Sequence, residues 1–195
     1  MIDLSPFSKR SQAQHFDPPT PVRILQYQWE FEELLALYKE RTPYRVLEIG
    51  NADGGTIYHW LKNAIAATRV IGIDIDPKDF DLWQEWCSPN SELILITADS
   101  RNDGTVRLVN QAAPNGLDWL FIDGGHEYET ARSDFERYGA LVNPGGMIAL
   151  HDIKTHPASE VGRLWREIQQ AGYVTSELIA APNDGGGAGI GVVYL

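Results

Sequence analysis

Short apolar runs separated by stretches of helical periodicity dictate what this chain can fold into. The runs cover residues 44–49, 69–75, 92–97, 117–122 and 146–150. They read as continuously apolar, as strands buried on both faces do. Helical stretches lie between them, at about 54–67, 79–87, 103–112 and 127–142. In the last, Tyr128, Ala131, Phe135, Tyr138 and Val142 share one face. A further helix precedes the first run: Ile24, Tyr27, Phe31, Leu34 and Tyr38 recur at steps of three and four and stop before Pro43. Strand–helix alternation of this kind predicts an α/β fold with a mostly parallel sheet covered by helices on both faces. The end of the chain departs from the alternation. A helix over 158–170, with Val161, Leu164, Trp165 and Ile168 on one face, leads into strands over 173–180 and 190–195. These flank Pro182-Asn183-Asp184-Gly185-Gly186-Gly187, a turn-rich loop, and predict a hairpin that closes the sheet with an antiparallel strand.

A length of 195 residues suits one well-buried domain. We place it at 22–195, preceded by a flexible polar arm over 1–21 that carries Pro6, Pro18, Pro19 and Pro21. The net charge of −11 repels phosphate backbones and argues against nucleic acid as a partner. Cys87 is the only cysteine, so no disulfide framework exists, and it reads as a small buried apolar residue. No apolar run approaches the roughly 20 residues that span a bilayer, and residues 1–20 hold no apolar signal core. The expectation is a cytoplasmic protein with no membrane partner.

Chemistry in an open α/β sheet collects at the carboxyl ends of neighbouring strands. Two such ends carry polar clusters: Asp123-Gly124-Gly125-His126 after the fourth run and His151-Asp152 after the fifth. An imidazole near neutral pH suits a general base, and His126, three positions after an acid on a tight glycine turn, fits that role better than a backbone-bonding one at a helix start. His151 is open between metal ligation and a packing or supporting role. Neighbouring strand residues point oppositely, so His151 and Asp152 reach one ion only if the chain has left strand geometry. His15 and His156 lack such context and read as surface residues. Asp134 lies opposite the apolar stripe of its helix and is expected to be solvated or ion-paired. Trp83, Trp86 and Trp165 read as core.

The first run ends in Glu48-Ile49-Gly50-Asn51-Ala52-Asp53-Gly54-Gly55. Small residues let the backbone turn sharply and approach a ligand, and Asp74, at the end of the next strand, can accept ribose hydroxyls. Gly50, Ala52 and Gly55 also nearly satisfy a dinucleotide fingerprint. Glu48, expected to face the crevice, shifts the balance: an acid repels a pyrophosphate and attracts an ammonium group. Asp99-Ser100, after the third strand, suits either an adenine edge or the cap of the helix beginning near Asp103.

Glu48-x-Gly50-x-Ala52-x-Gly54 resembles the first motif of the class I S-adenosylmethionine (SAM)-dependent methyltransferases, with alanine for the middle glycine. Within that class the chain resembles metal-dependent small-molecule O-methyltransferases, the group holding macrolide-sugar O-methyltransferases and cephalosporin-hydroxylase-like proteins. Asp123-Gly124-Gly125-His126-Glu127-Tyr128, Pro144-Gly145-Gly146 and His151-Asp152 match that pattern in order. The resemblance covers about 22–195 and implies a Rossmann-like fold of seven strands, the last antiparallel. It implies SAM as cofactor, held by Glu48, Gly50, Asn51, Gly54, Asp74, Asp99 and Ser100. It further implies a divalent cation on Asp123 and Asp152, with His126 as base. Some relatives have Glu-Asp where this chain has His151-Asp152. Magnesium prefers oxygen ligands; ligation by His151 would favour manganese or iron. The implied reaction is methyl transfer to a small-molecule hydroxyl on a sugar, polyol or catechol-like acceptor. The competing readings are an NAD(P)-dependent oxidoreductase and a non-catalytic SAM-binding subunit. With short insertions, the acceptor site is either open or completed by a second subunit of a homo-oligomer.

Overall fold

The structure, a computed structural model, describes residues 22–64, 68–76, 80–154, 159–179 and 188–195. The expected arm over 1–21, the loop 182–187, His15 and His156 lie outside the described residues. The elements in chain order are α1 (Gln28–Arg41), β1 (Arg45–Ile49), α2 (Gly55–Lys62), β2 (Thr68–Asp74), α3 (Phe80–Gln84), β3 (Ser91–Thr97), α4 (Asp103–Ala112), β4 (Leu117–Ile122), α5 (Tyr128–Gly139), β5 (Val142–His151), α6 (Val161–Gln170), β6 (Val174–Leu178) and β7 (Ile190–Tyr194).

They form one seven-stranded sheet in the order β3-β2-β1-β4-β5-β7-β6. The first five strands run parallel, and β7 lies antiparallel between β5 and β6. Adjacent strand residues feed opposite faces. Leu47, Ile71, Leu120 and Ile148 pack with Tyr138 and Trp165 on one side; Val46, Val70, Trp119 and Met147 pack with Phe31 and Trp60 on the other. Burial on both faces is why the strands read as unbroken apolar runs. Trp83, Trp86 and Trp165 are core residues, as expected.

Three local readings change. The first helix starts at Gln28, not Ile24: residues 22–27 form no helical turn, and Tyr27, at the N-cap, is extended. Ile24 is buried there all the same, which gave the segment its helical look. The fifth strand starts at Val142, which pairs with Leu117, while Met147 pairs with Trp119. Asn143-Pro144-Gly145-Gly146 therefore bulges out opposite Asp118. Cys87 is half-buried rather than buried. Among the described residues no helix is long and apolar enough to cross a membrane.

Candidate active site

β4 and β5 are neighbours, so the residues that follow them meet. Asp123 still donates its backbone N–H to Ile49 at 2.8 Å, which ties it to the end of β1. One strand over, Asp152 has φ +60, so the chain has left strand geometry. His151 and the Asp152 carboxylate consequently turn to the same place. His151 Nδ1 lies 2.9 Å from Asp123 Oδ1 and 3.5 Å from Asp152 Oδ2; His126 Nε2 lies 3.0 Å from the same Asp152 oxygen. Asp123, His126 and Asp152 each offer a ligand atom, all within 4.8 Å of one another. The histidine grouped with the carboxylates is thus His126, half-exposed at the mouth, rather than the buried His151. Burial opposes a charge on His151, but the Asp123 and Asp152 carboxylates beside it prevail and push its pKa up to about 10. Nothing in the sequence pointed to Gln26, whose buried amide donates to Asp123 Oδ2.

The glycine turn is built as tightly as its composition requires. Gly50 has φ +86, and a Cβ there would lie 2.1 Å from the Asp123 carbonyl oxygen. The turn and the Asp123 loop therefore touch backbone to backbone. Asp74 braces the turn: its Oδ2 accepts the N–H groups of Asn51 at 2.7 Å and Ala52 at 3.0 Å. Ala52 sits at φ +45, the left-handed region where its family position carries glycine. Glu48 does not face the crevice. It is fully buried and accepts from Thr56 Oγ1 at 2.6 Å, from Trp60 Nε1 and from Asn51 Nδ2. Its carboxylate fastens α2 to the turn, and burial pushes its pKa up to about 8. Gly54 starts α2, where a Cβ would strike the Trp83 ring at 2.4 Å.

Two clefts flank the turn. The larger, about 760 Å³, is lined by Gly50, Asp74, Asp99, Ser100 and Gly124 among others. The smaller, about 100 Å³, holds Asn51, Asp123, His126, His151, Asp152 and Gln26. Asp123 borders both. Asp99 does not cap α4 with its side chain; the N-cap is Asn102. Instead its carboxylate takes the Arg101 guanidinium at 2.6 Å, and those hydrogen bonds hold its pKa at about 2. Its carbonyl accepts Thr105 Oγ1 at 2.7 Å.

Asp134 departs from its expected solvated position: it is fully buried, with Ser100 the polar side chain that favours its charged form. A Cβ on Gly124 would lie 3.7 Å from Asp134 Oδ2, which places the acid under the wall of the larger cleft. Burial raises its pKa to about 6. A raised folded-state pKa means that Asp134 favours folding fully below the unfolded value near 4 and loses that contribution as pH rises through about 6. Asp134→Asn is expected to match wild type in urea denaturation at pH 4 and to exceed it by about 2–3 kcal/mol at pH 7.5. An equal difference at both pH values would refute the assignment.

Residues 47–153 match the family described as a methyltransferase domain. A curated relative from Acanthamoeba polyphaga mimivirus, described only as an uncharacterized protein, is 30% identical over 152 residues, 72% of this chain and 68% of its own length. Among solved structures, an O-methyltransferase from Bacillus cereus in complex with SAH superposes with TM-score 0.64 at 19% identity, over 86% of this chain and 80% of that one. TomG, an O-methyltransferase from Streptomyces achromogenes in complex with SAM, gives 0.65 at 18%, over 97% and 88%. MycE, a methyltransferase of the mycinamycin biosynthetic pathway in complex with Mg, SAH and mycinamycin VI, gives 0.57 at 19%, over 85% of this chain and 49% of that one. The solved structures share the fold, and the family match spans the glycine turn, both strand ends and every residue from Glu48 to Asp152: this chain belongs to the methyltransferase-domain family, with the class I architecture.

Proposed function

We propose that the protein transfers the methyl group of SAM to a hydroxyl oxygen of a small molecule, a sugar, polyol or catechol-like compound, with a divalent cation in the site. The observation that carries this reading is the convergence of Asp123, His126 and Asp152 within 4.8 Å in the smaller, catalytic cleft, which shares Gly50 and Asp123 with the larger one. A cleft of about 760 Å³ lies in the size range of small-molecule and cofactor sites. Asp74, Asp99 and Ser100 all line it; in this reading Asp74 offers the remaining lone pairs of its carboxylate to ribose hydroxyls, and Asp99 and Ser100 serve the adenine edge. Complexes of TomG with SAM and of the Bacillus cereus enzyme with SAH lend support through the shared fold.

The donor set fits a hard cation: two carboxylates, which Mg²⁺ prefers, beside one imidazole. Asp123 and Asp152 would hold it, and MycE, with Mg in its complex, supports the reading. When bound, such an ion lowers the pKa of a coordinated hydroxyl. The chain's residues do the rest. Backbone contact between Gly50 and Asp123 fixes the distance between the two clefts, so donor and acceptor are held in line; such alignment can supply roughly 7–11 kcal/mol of the barrier. As the acceptor oxygen bonds to the methyl carbon, the carbon–sulfur bond breaks and its electron pair stays on sulfur. His126, at the mouth of the smaller cleft, takes the hydroxyl proton on its free ring nitrogen while Asp152 orients the other. His151, between Asp123 and Asp152, supports the carboxylates from behind.

Calorimetric titration with SAM, NAD and MgCl₂ tests the reading. SAM is expected to bind with and without EDTA, NAD not at all, and Mg²⁺ only to protein freed of EDTA. Binding of NAD in place of SAM would return the chain to the oxidoreductases.

A further inference from the structure

The segment 22–27 crosses the smaller cleft before α1 begins, and it is fastened at several points. Arg23 Nε pairs with Asp53 Oδ2 at 2.9 Å. Ile24 is buried against Gly55, where an added Cβ would meet both the Arg23 carbonyl and the Ile24 side chain at 2.5 Å. Tyr27, also buried, starts α1 by accepting the Phe31 N–H at 3.0 Å. Between these anchors stands Gln26, 3% exposed, with its amide N–H on Asp123 Oδ2. The other oxygen of that carboxylate faces His151 Nδ1 at 2.9 Å. Both oxygens of Asp123 are therefore held from the protein side, by groups that enter from opposite ends of the chain.

The chemistry of the holding group matters. With His151 already on one oxygen of Asp123, an arginine or lysine at position 26 would add a second positive charge and compete further with a cation. A carboxamide adds no charge, and each carboxylate oxygen keeps a lone pair for another partner. Partners that orient a metal-binding carboxylate commonly change metal affinity 10–100-fold.

We propose that Gln26 is a positioning residue for Asp123, setting how tightly the site holds a divalent cation while contributing nothing to donor binding. The proposal rests on the cation reading given above. Gln26 lines the catalytic cleft and not the larger one, so the two affinities should separate.

The test is calorimetry with MnCl₂ alone and with SAM alone, on wild type, Gln26→Met and Gln26→Asn. Methionine keeps the length and loses the donor. Asparagine keeps the amide but is one methylene too short, so it checks the result should the methionine variant fold poorly. Both variants are expected to weaken Mn²⁺ binding about 10-fold or more, with SAM affinity within about twofold of wild type. Unchanged Mn²⁺ affinity in the variants overturns the role of Gln26 and leaves the cation site standing. Equal losses for Mn²⁺ and SAM also overturn it, since they mark general loosening. Wild type that takes up no Mn²⁺ removes the cation reading itself, and the proposal with it.

Discussion

His126→Ala is expected to lower methyl transfer by about 10²–10⁴-fold, the usual contribution of a positioned general base, with SAM affinity unchanged. The readout is release of S-adenosylhomocysteine with a catechol or vicinal-diol acceptor. The side chain stands at the cleft mouth, 3.0 Å from Asp152 by one ring nitrogen, which leaves the other for the acceptor proton. Because its ligand atom also falls in the cluster with Asp123 and Asp152, the same variant separates two roles. A base is lost without change in Mn²⁺ affinity, whereas a ligand is lost with a matching fall in it. Asp123→Asn is the companion: it keeps the shape but removes the charge and one of the two acceptor oxygens that Gln26 and His151 share, so cation dependence should disappear. Wild-type turnover in both variants would discard the mechanism.

Gly50→Ala is expected to be the most damaging small substitution in the fold. The new methyl group would lie 2.1 Å from the Asp123 carbonyl oxygen, 2.5 Å from its carbon and 2.7 Å from the Gly124 Cα. All three are backbone atoms of a loop tied to β1, so none swings aside as a side-chain tip would. The left-handed φ adds about 1–2 kcal/mol for any residue with a Cβ, and forced overpacking about 1–3 kcal/mol more. Together, at about 2–5 kcal/mol, they are a large share of a domain's usual 5–15 kcal/mol and lower Tm by roughly 4–20 °C in a chain of this size. Gly172→Ala is the control: its φ is +86, and a Cβ there meets nothing within 4 Å. It should show the φ cost alone. Equal losses in the two variants would refute the steric argument.

How much of this was legible depends on the range of the forces involved. β1 to β5 were readable because burial on both faces leaves a local signature, and α4 was placed at its true limits because its periodicity stops where the helix does. The two strand ends could be paired because adjacency of carboxyl ends follows from topology alone. Asp134 was misplaced because its helix face was judged from its own stripe, while the packing of α5 beside Ser100 and Gly124 buries the opposite side as well. Glu48 was assigned the right turn and the wrong direction: that its partners would be Thr56 and Trp60 depends on how α2 docks. Gln26 left no local trace at all, since its partner lies 97 residues away.

The placement of β7 has a consequence for how the protein comes into being. His151 pairs with Ile190, and Leu150 with Gly191. The Leu195 N–H bonds back to Gly146. A nascent chain that has emerged only as far as β6 thus has every proposed reactive side chain but no partner along the outer side of β5. Until β7 is in place, the backbone N–H and C=O groups along that side of β5 form an open edge, a template on which another chain can pair.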